Sequence, residues 1–224
     1  MTFSIAAHCA RTGRFGIAVS SSSPAVAARC AHARAGVGAA ASQNITDPAL
    51  GPRLLDLLDS GQSAADAMAV VIAETPNINF RQLTVVDRNG GTAHHNGDGV
   101  LGQFAAASTP NAVAAGNLLS SIDVPAAMIA AFERAPDSDI GDRLIAAMEA
   151  GLAAGGEEGP VRSAGLVIVD RAPWPVTDLR VDWADFPIAQ LGSLWQLWQP
   201  QEAAYLQRAL SPAQSPSYGV PGNQ

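Results

Sequence analysis

No lysine occurs in the 224 residues; all thirteen basic residues are arginine. Schiff-base chemistry and the phosphate-grasping lysine of a P-loop are therefore excluded, since both need an ε-amine. Aromatic residues make up only 5% of the chain, while alanine and glycine are abundant, so the core must be built from small side chains with backbones close together. Only two cysteines are present, Cys9 and Cys30, which read as free thiols in a reducing compartment. No hydrophobic run is long enough to cross a bilayer, and the first residues lack the basic-then-apolar layout of a signal peptide. A cytoplasmic protein with no membrane partner is expected. A net charge of −7 and a pI near 4.9 argue against nucleic acid as a partner. There is no G-x-S-x-G elbow, no H-E-x-x-H and no G-x-G-x-x-G opening a helix.

What is present begins at the first residues. Phe3 and Ile5 alternate with Thr2, Ser4 and Ala6, the period of a half-buried strand. Methionine before a small second residue is normally removed. Thr2 would then carry a free α-amine beside its own hydroxyl, and an α-amine titrates near neutrality, so it can serve as the hydroxyl's general base.

The pattern then runs strand 2–9, a Gly13 turn and a strand from Phe15 to Ser22 that ends at Ser23-Pro24. Ala25 to Arg34 reads as a short helix or a packed loop, and Val37 to Asn44 as a third strand. Two helices follow, one opened by Asp47-Pro48 and one capped by Ser63 with Asp66 at the third position. Strands are expected at Arg81–Asp87, Thr92–Asn96, Leu101–Ser108 and Asn111–Gly116, then helices at Asp123–Glu133 and Ser138–Ala153. Ser163–Asp170, the most apolar strand, is placed centrally, and Leu179–Trp183 is one more strand. A last helix from Pro187 breaks at Pro200. Its Leu194, Trp195 and Trp198 carry more aromatic surface than one side of a core requires, so a homodimer contact is expected there. Strands, paired helices, strands, paired helices, strands and a helix imply an α+β fold. The expected architecture is a four-layer αββα sandwich of two mainly antiparallel sheets, forming one domain over 1–210 with a Pro/Ser/Gly-rich tail at 211–224.

His8, Cys9, Cys30 and His32 are metal-ligand types, but adjacent residues of a strand face opposite ways and no zinc spacing is present. No metal and no cofactor are expected. His94-His95 can supply an acid or base, with one ring packed and the other exposed. Arg34, at the mouth of a strand, can hold a carboxylate or tie a loop. Gly155-Gly156-Glu157-Glu158-Gly159 reads as a helix stop followed by a solvated loop.

Several ordered blocks carry a resemblance: Met1-Thr2-Phe3-Ser4-Ile5, Ala33 to Ala39, Ser42-Gln43 with Asp47-Pro48 and Gly51-Pro52, Gly116-Asn117-Leu118-Leu119, and Gly151 to Gly156 followed by Ser163-Ala164. From residue 1 to about Trp198 the chain resembles a bacterial family known only as a domain of unknown function. That family is grouped by fold with the N-terminal nucleophile (Ntn) hydrolases. The resemblance implies hydrolysis of an amide or related C–N bond of a small substrate. Thr2 would attack, its α-amine would take the proton, and backbone N–H groups with Asn117 would hold the oxyanion. Arg34 and Gln43 would stand on the substrate side, with His94 as a further candidate. Two alternatives stay open: a hydrolytic deaminase working through Ser4, His8 or His94 with Met1 retained, and a small-molecule-binding or scaffold protein without turnover.

Overall fold

The computed structural model describes residues 1–222. Ten strands form two antiparallel sheets. The larger is built from β1 (Thr2–Cys9), β2 (Arg14–Ser21), β7 (Ala105–Thr109), β8 (Ala112–Asn117), β9 (Ser163–Val169) and β10 (Thr177–Val181), in the order β10-β9-β2-β1-β8-β7. The smaller contains β3 (Ala31–Arg34), β4 (Gly38–Asn44), β5 (Arg81–Asp87) and β6 (Thr92–Asn96), in sequence order. Helices α4 (Val124–Glu133), α5 (Ile140–Ala153) and α6 (Pro187–Leu210) cover the outer face of the large sheet. Helices α2 (Leu50–Asp59) and α3 (Ala64–Glu74) cover that of the small one. The sheets stack face to face, which gives the expected four-layer α+β sandwich.

Strand β1 shows how the sequence sorts itself. Phe3, Ile5, Ala7 and Cys9 enter the core under α4 and α5, while Ala6 enters the layer between the sheets. By the alternation of a strand, Thr2, Ser4 and His8 share the face of Ala6. Burying Phe3 and Ile5 completely stabilises the fold by about 1.5–3 kcal/mol each. The inter-sheet layer is apolar along most of its length, with Ala6, Phe15, Ile17, Ala39, Ala41, Val86, Val113 and Val167. The same faces of β1, β2, β4, β5 and β8 become polar at one end, at Thr2, Ser4, Ser21, Gln43, Gln82 and Asn117, all buried. That end holds the candidate site.

Several expectations are corrected. Ala25 to Arg34 divides into a single turn, α1 (Ala27–Cys30), and an edge strand, β3. The strand expected from Leu101 starts only at Ala105, because Gly102 turns the chain at φ +63° and leaves Leu101 exposed. The tenth strand lies two residues earlier than its Leu179–Trp183 pattern, with Trp183 left 62% exposed. Strand β9 is fully buried but stands second from the edge, between β2 and β10. Helix α6 continues through Pro200. Both Pro200 and Gln196, whose carbonyl loses its donor, are exposed, so water serves that carbonyl. Trp195 is buried against Gly141 and donates to Asp142, while the half-buried Trp198 donates to Thr177 and Leu194 stays exposed.

Candidate active site

The hairpin turn after Cys9 sets a register in which Phe3 faces Ser20, which puts Ser21 opposite Thr2; on the other side Thr2 faces Asn117. Thr2 is 5% exposed, and Ser21 and Asn117 are fully buried. Two hydroxyls converge on one carbonyl: Thr2 Oγ1 and Ser21 Oγ each donate to the Met1 oxygen at 2.5 Å. Ser21 Oγ also lies 2.7 Å from Ser23 Oγ, which accepts from Arg29 Nη2 at 2.8 Å. The serine run that closes β2 is thus a hydroxyl relay ending on a guanidinium. Two residues beside it, Ala25 and Leu118, hold φ values near +50°, a conformation costing about 1–2 kcal/mol for a residue with a Cβ. Such strain clusters at functional sites.

Below Thr2 lies a chain of amides whose orientation two backbone carbonyls dictate. Gln43 Nε2 donates to the Ala115 carbonyl and Gln82 Nε2 to the Gly116 carbonyl, so each side-chain nitrogen is fixed on that side. Gln43 Oε1 then accepts from Ser4 Oγ at 2.8 Å. Gln82 Oε1 accepts from both Gln43 Nε2 at 2.8 Å and Asn117 Nδ2 at 3.0 Å, and Gln82 Nε2 also reaches Asn96 Oδ1. With its nitrogen on Gln82, Asn117 leaves Oδ1 buried without a partner among the described residues. The spare atom of Asn117 is an acceptor.

The loop after α5 completes the site. Gly155 at φ +121° and Gly156 at φ +59° reverse the chain, and a Cβ at Gly155 would lie 2.2 Å from Ser120 Oγ. The reversal brings Glu157 into a bridge with Leu119. Glu157 is 5% exposed, so the solvated loop expected here is corrected at this residue. Its Oε2 accepts from the Ser22 N–H at 3.1 Å, whereas Oε1 is buried without a partner among the described residues. Burial pushes its pKa up to about 7, against the nearby α-ammonium of Met1 and the Ser22 hydrogen bond, which hold it down.

Of the residues singled out in the sequence, Thr2, Ser4, Gln43 and Asn117 come together at this polar end. Arg34 does not join them. It pairs with Asp56 at 2.7 Å and Asp59 at 3.6 Å, and its strand partner Gly38 is five positions from Gln43, roughly 17 Å along an extended strand. His94 is exposed on the edge strand β6, two positions from Asn96, with its pKa lowered by burial and by His95 beside it. His95 is the more buried of the pair and lies 3.2 Å from the Ile78 carbonyl. His8 stacks on Phe15 and contacts Asn111, while Cys9 lies in the core on the other side of the sheet. Ser21 and Glu157 escaped the sequence reading. The hairpin register counted back from Cys9 and Arg14 would have found Ser21, but no local signal marks Glu157.

The chain matches the family profile described as a family of unknown function, DUF1028, over residues 2–191. No curated protein matches it. Among solved structures it is similar to protein SPO2555 from Silicibacter pomeroyi, a DUF1028 protein, at 30% identity over 88% of each chain with a TM-score of 0.81. It is also distantly similar to Anbu, an ancestral β-subunit, from Yersinia bercovieri, at 14% identity over 91% of this chain and 97% of that one, with a TM-score of 0.38.

Proposed function

The chain belongs to DUF1028, a family of unknown function, and from its polar inter-sheet end we propose an Ntn-type amidohydrolase with Thr2 as nucleophile once Met1 is removed. It would cleave an amide or related C–N bond of a small substrate. The observation that carries this reading is the convergence of the Thr2 and Ser21 hydroxyls on one carbonyl in a buried corner. The freed α-amine of Thr2 takes the Oγ1 proton as Oγ1 attacks the substrate carbonyl carbon. Ser21 Oγ–H donates to the oxygen as its negative charge develops. Asn117 Oδ1, the unpaired acceptor opposite Thr2, receives an N–H of the amine and orients it. The ammonium returns its proton to the leaving nitrogen, the C–N bond breaks, and an ester remains on Oγ1. Water, deprotonated by the same amine, hydrolyses that ester to the carboxylic acid.

Ser4 is held by Gln43 and His94 stands at an exposed edge, so no observation favours a deaminase built on them. The test is a screen of small amides for released amine or ammonia, with intact mass measured on the same protein. The active enzyme is expected to lack the Met1 residue, and Thr2→Ala to lose at least about a thousandfold in kcat. Full turnover by Thr2→Ala, or by protein that retains Met1, would overturn the proposal.

A further inference from the structure

We propose that the acyl side of this site takes an apolar α-amino acid with its ammonium group free, so that the substrates are amides of such amino acids rather than N-acylated or acidic ones. The inference rests on Thr2 being the nucleophile, and Met1 shows what the ground beside Thr2 accommodates. The nitrogen and Oγ1 of one threonine can both reach a single carbonyl carbon through a five-membered ring. The acyl group of an ester on Oγ1 therefore occupies nearly the ground that the Met1 acyl group occupies here. That ground has three features.

The carbonyl position is marked by the Thr2 and Ser21 hydroxyls. The Met1 side chain lies over Gly159, where a Cβ would stand 3.6 Å from Met1 Cε and 3.8 Å from Sδ. Beside it opens a cavity of about 280 Å³ walled by Leu152, Val161, Phe186, Ile188 and Ala189. An apolar side chain somewhat longer than alanine fits such a wall. The third feature is charge. Glu157 lines the same cavity, and its buried Oε1 has no donor among the described residues. The other acid on the wall, Asp185, is already paired with Arg162. The α-ammonium of Met1 is close enough to hold the Glu157 carboxyl down. A substrate ammonium α to the carbonyl supplies the charge and the donor that Glu157 lacks, whereas an acetylated nitrogen removes the charge and a carboxylate would be repelled.

The experiment measures binding by calorimetry on Thr2→Ala protein from which Met1 has been removed, checked by intact mass, so that turnover does not intervene and the acyl site is open. The probes are L-methioninamide, N-acetyl-L-methioninamide and glycinamide. L-Methioninamide is expected to bind at least about tenfold more tightly than its acetylated form, the scale of one charge-assisted hydrogen bond. Adding Glu157→Gln, which keeps the Ser22 contact, should abolish that preference and leave the acetylated probe unchanged. Ala189→Trp enters the cavity from its exposed rim, and should weaken L-methioninamide while sparing glycinamide. Equal binding of free and acetylated methioninamide, or a preference untouched by Glu157→Gln, overturns the inference even if Thr2-dependent amide hydrolysis is found. The expected binding pattern with no turnover of L-methioninamide by wild type would leave the acyl-site assignment standing and count against Thr2 as nucleophile.

Discussion

Glu157 reaches its place through its neighbours rather than its own character. Gly155 and Gly156 turn the chain, the bridge to Leu119 holds it, and a carboxyl that would be solvated in an open loop is buried. Its folded-state pKa of about 7 exceeds the ordinary value of 4.5. It therefore contributes stability that is complete only below about pH 4.5 and is lost as the pH rises to 7. The full span corresponds to about 3 kcal/mol. Glu157→Gln is expected to be more stable than wild type in urea unfolding at pH 8, with the gap closing as the pH falls to 4.5. A difference that does not change with pH would contradict this. Thr2 and Ser4 were legible because a strand's alternation and a chain position reveal them. Glu157 was not, because Glu157-Glu158-Gly159 has the composition of a surface loop, and its burial is decided by residues 118–120 far away in sequence.

Strands and helices were legible wherever large apolar residues recur with one period, as in β1, β5, β9, α2 and α5. They were misread where the side chains are small or the pattern mixed: Ala-His-Ala-Arg of β3 has no apolar stripe, and β10 keeps only Leu179 and two flanking residues of its sheet face. Helix α6 was read as interrupted because proline outweighs pattern locally, whereas tertiary contacts decide here. Its anchor is Arg14 of β2, 8% exposed, which binds Glu202 through Nη2 at 2.6 and 2.7 Å and Asp139 through Nη1 at 3.0 Å. Thr177 donates to the same Glu202, and Trp198 donates to Thr177. Arg14→Leu leaves the Glu202 carboxylate without its charge partner and is expected to cost about 3–5 kcal/mol in chemical denaturation. The double variant Arg14→Leu/Glu202→Leu should recover most of that loss. If it does not, packing of the arginine stem rather than the ion pair holds α6.

At the scale of the molecule, the layer between the sheets has a dry end and an amide-filled end, and both hold the sheets together. Gln82 donates to Asn96 and Gly116 and accepts from Gln43 and Asn117. Gln82→Leu is therefore expected to lose at least about 3 kcal/mol, since it strands several buried groups at once. Thr84 lies in the same sheet with a buried hydroxyl that has no partner among the described residues, so Thr84→Val should be neutral or stabilise by up to about 1 kcal/mol. Thermal melts of the two variants separate a satisfied network from an isolated polar atom. The position of β1 has a further consequence, one of timing. It is an interior strand whose second neighbour, β8, comes more than a hundred residues later, with Thr2 facing Asn117. A ribosome adding about 5–20 residues per second needs on the order of ten seconds to supply that neighbour. During that interval the Met1–Thr2 peptide bond is still open to a processing enzyme. Once β8 docks, Thr2 is buried and the Met1 carbonyl is clasped by two hydroxyls, so the removal of Met1 that the proposed mechanism needs is expected to be easiest while the chain is still growing.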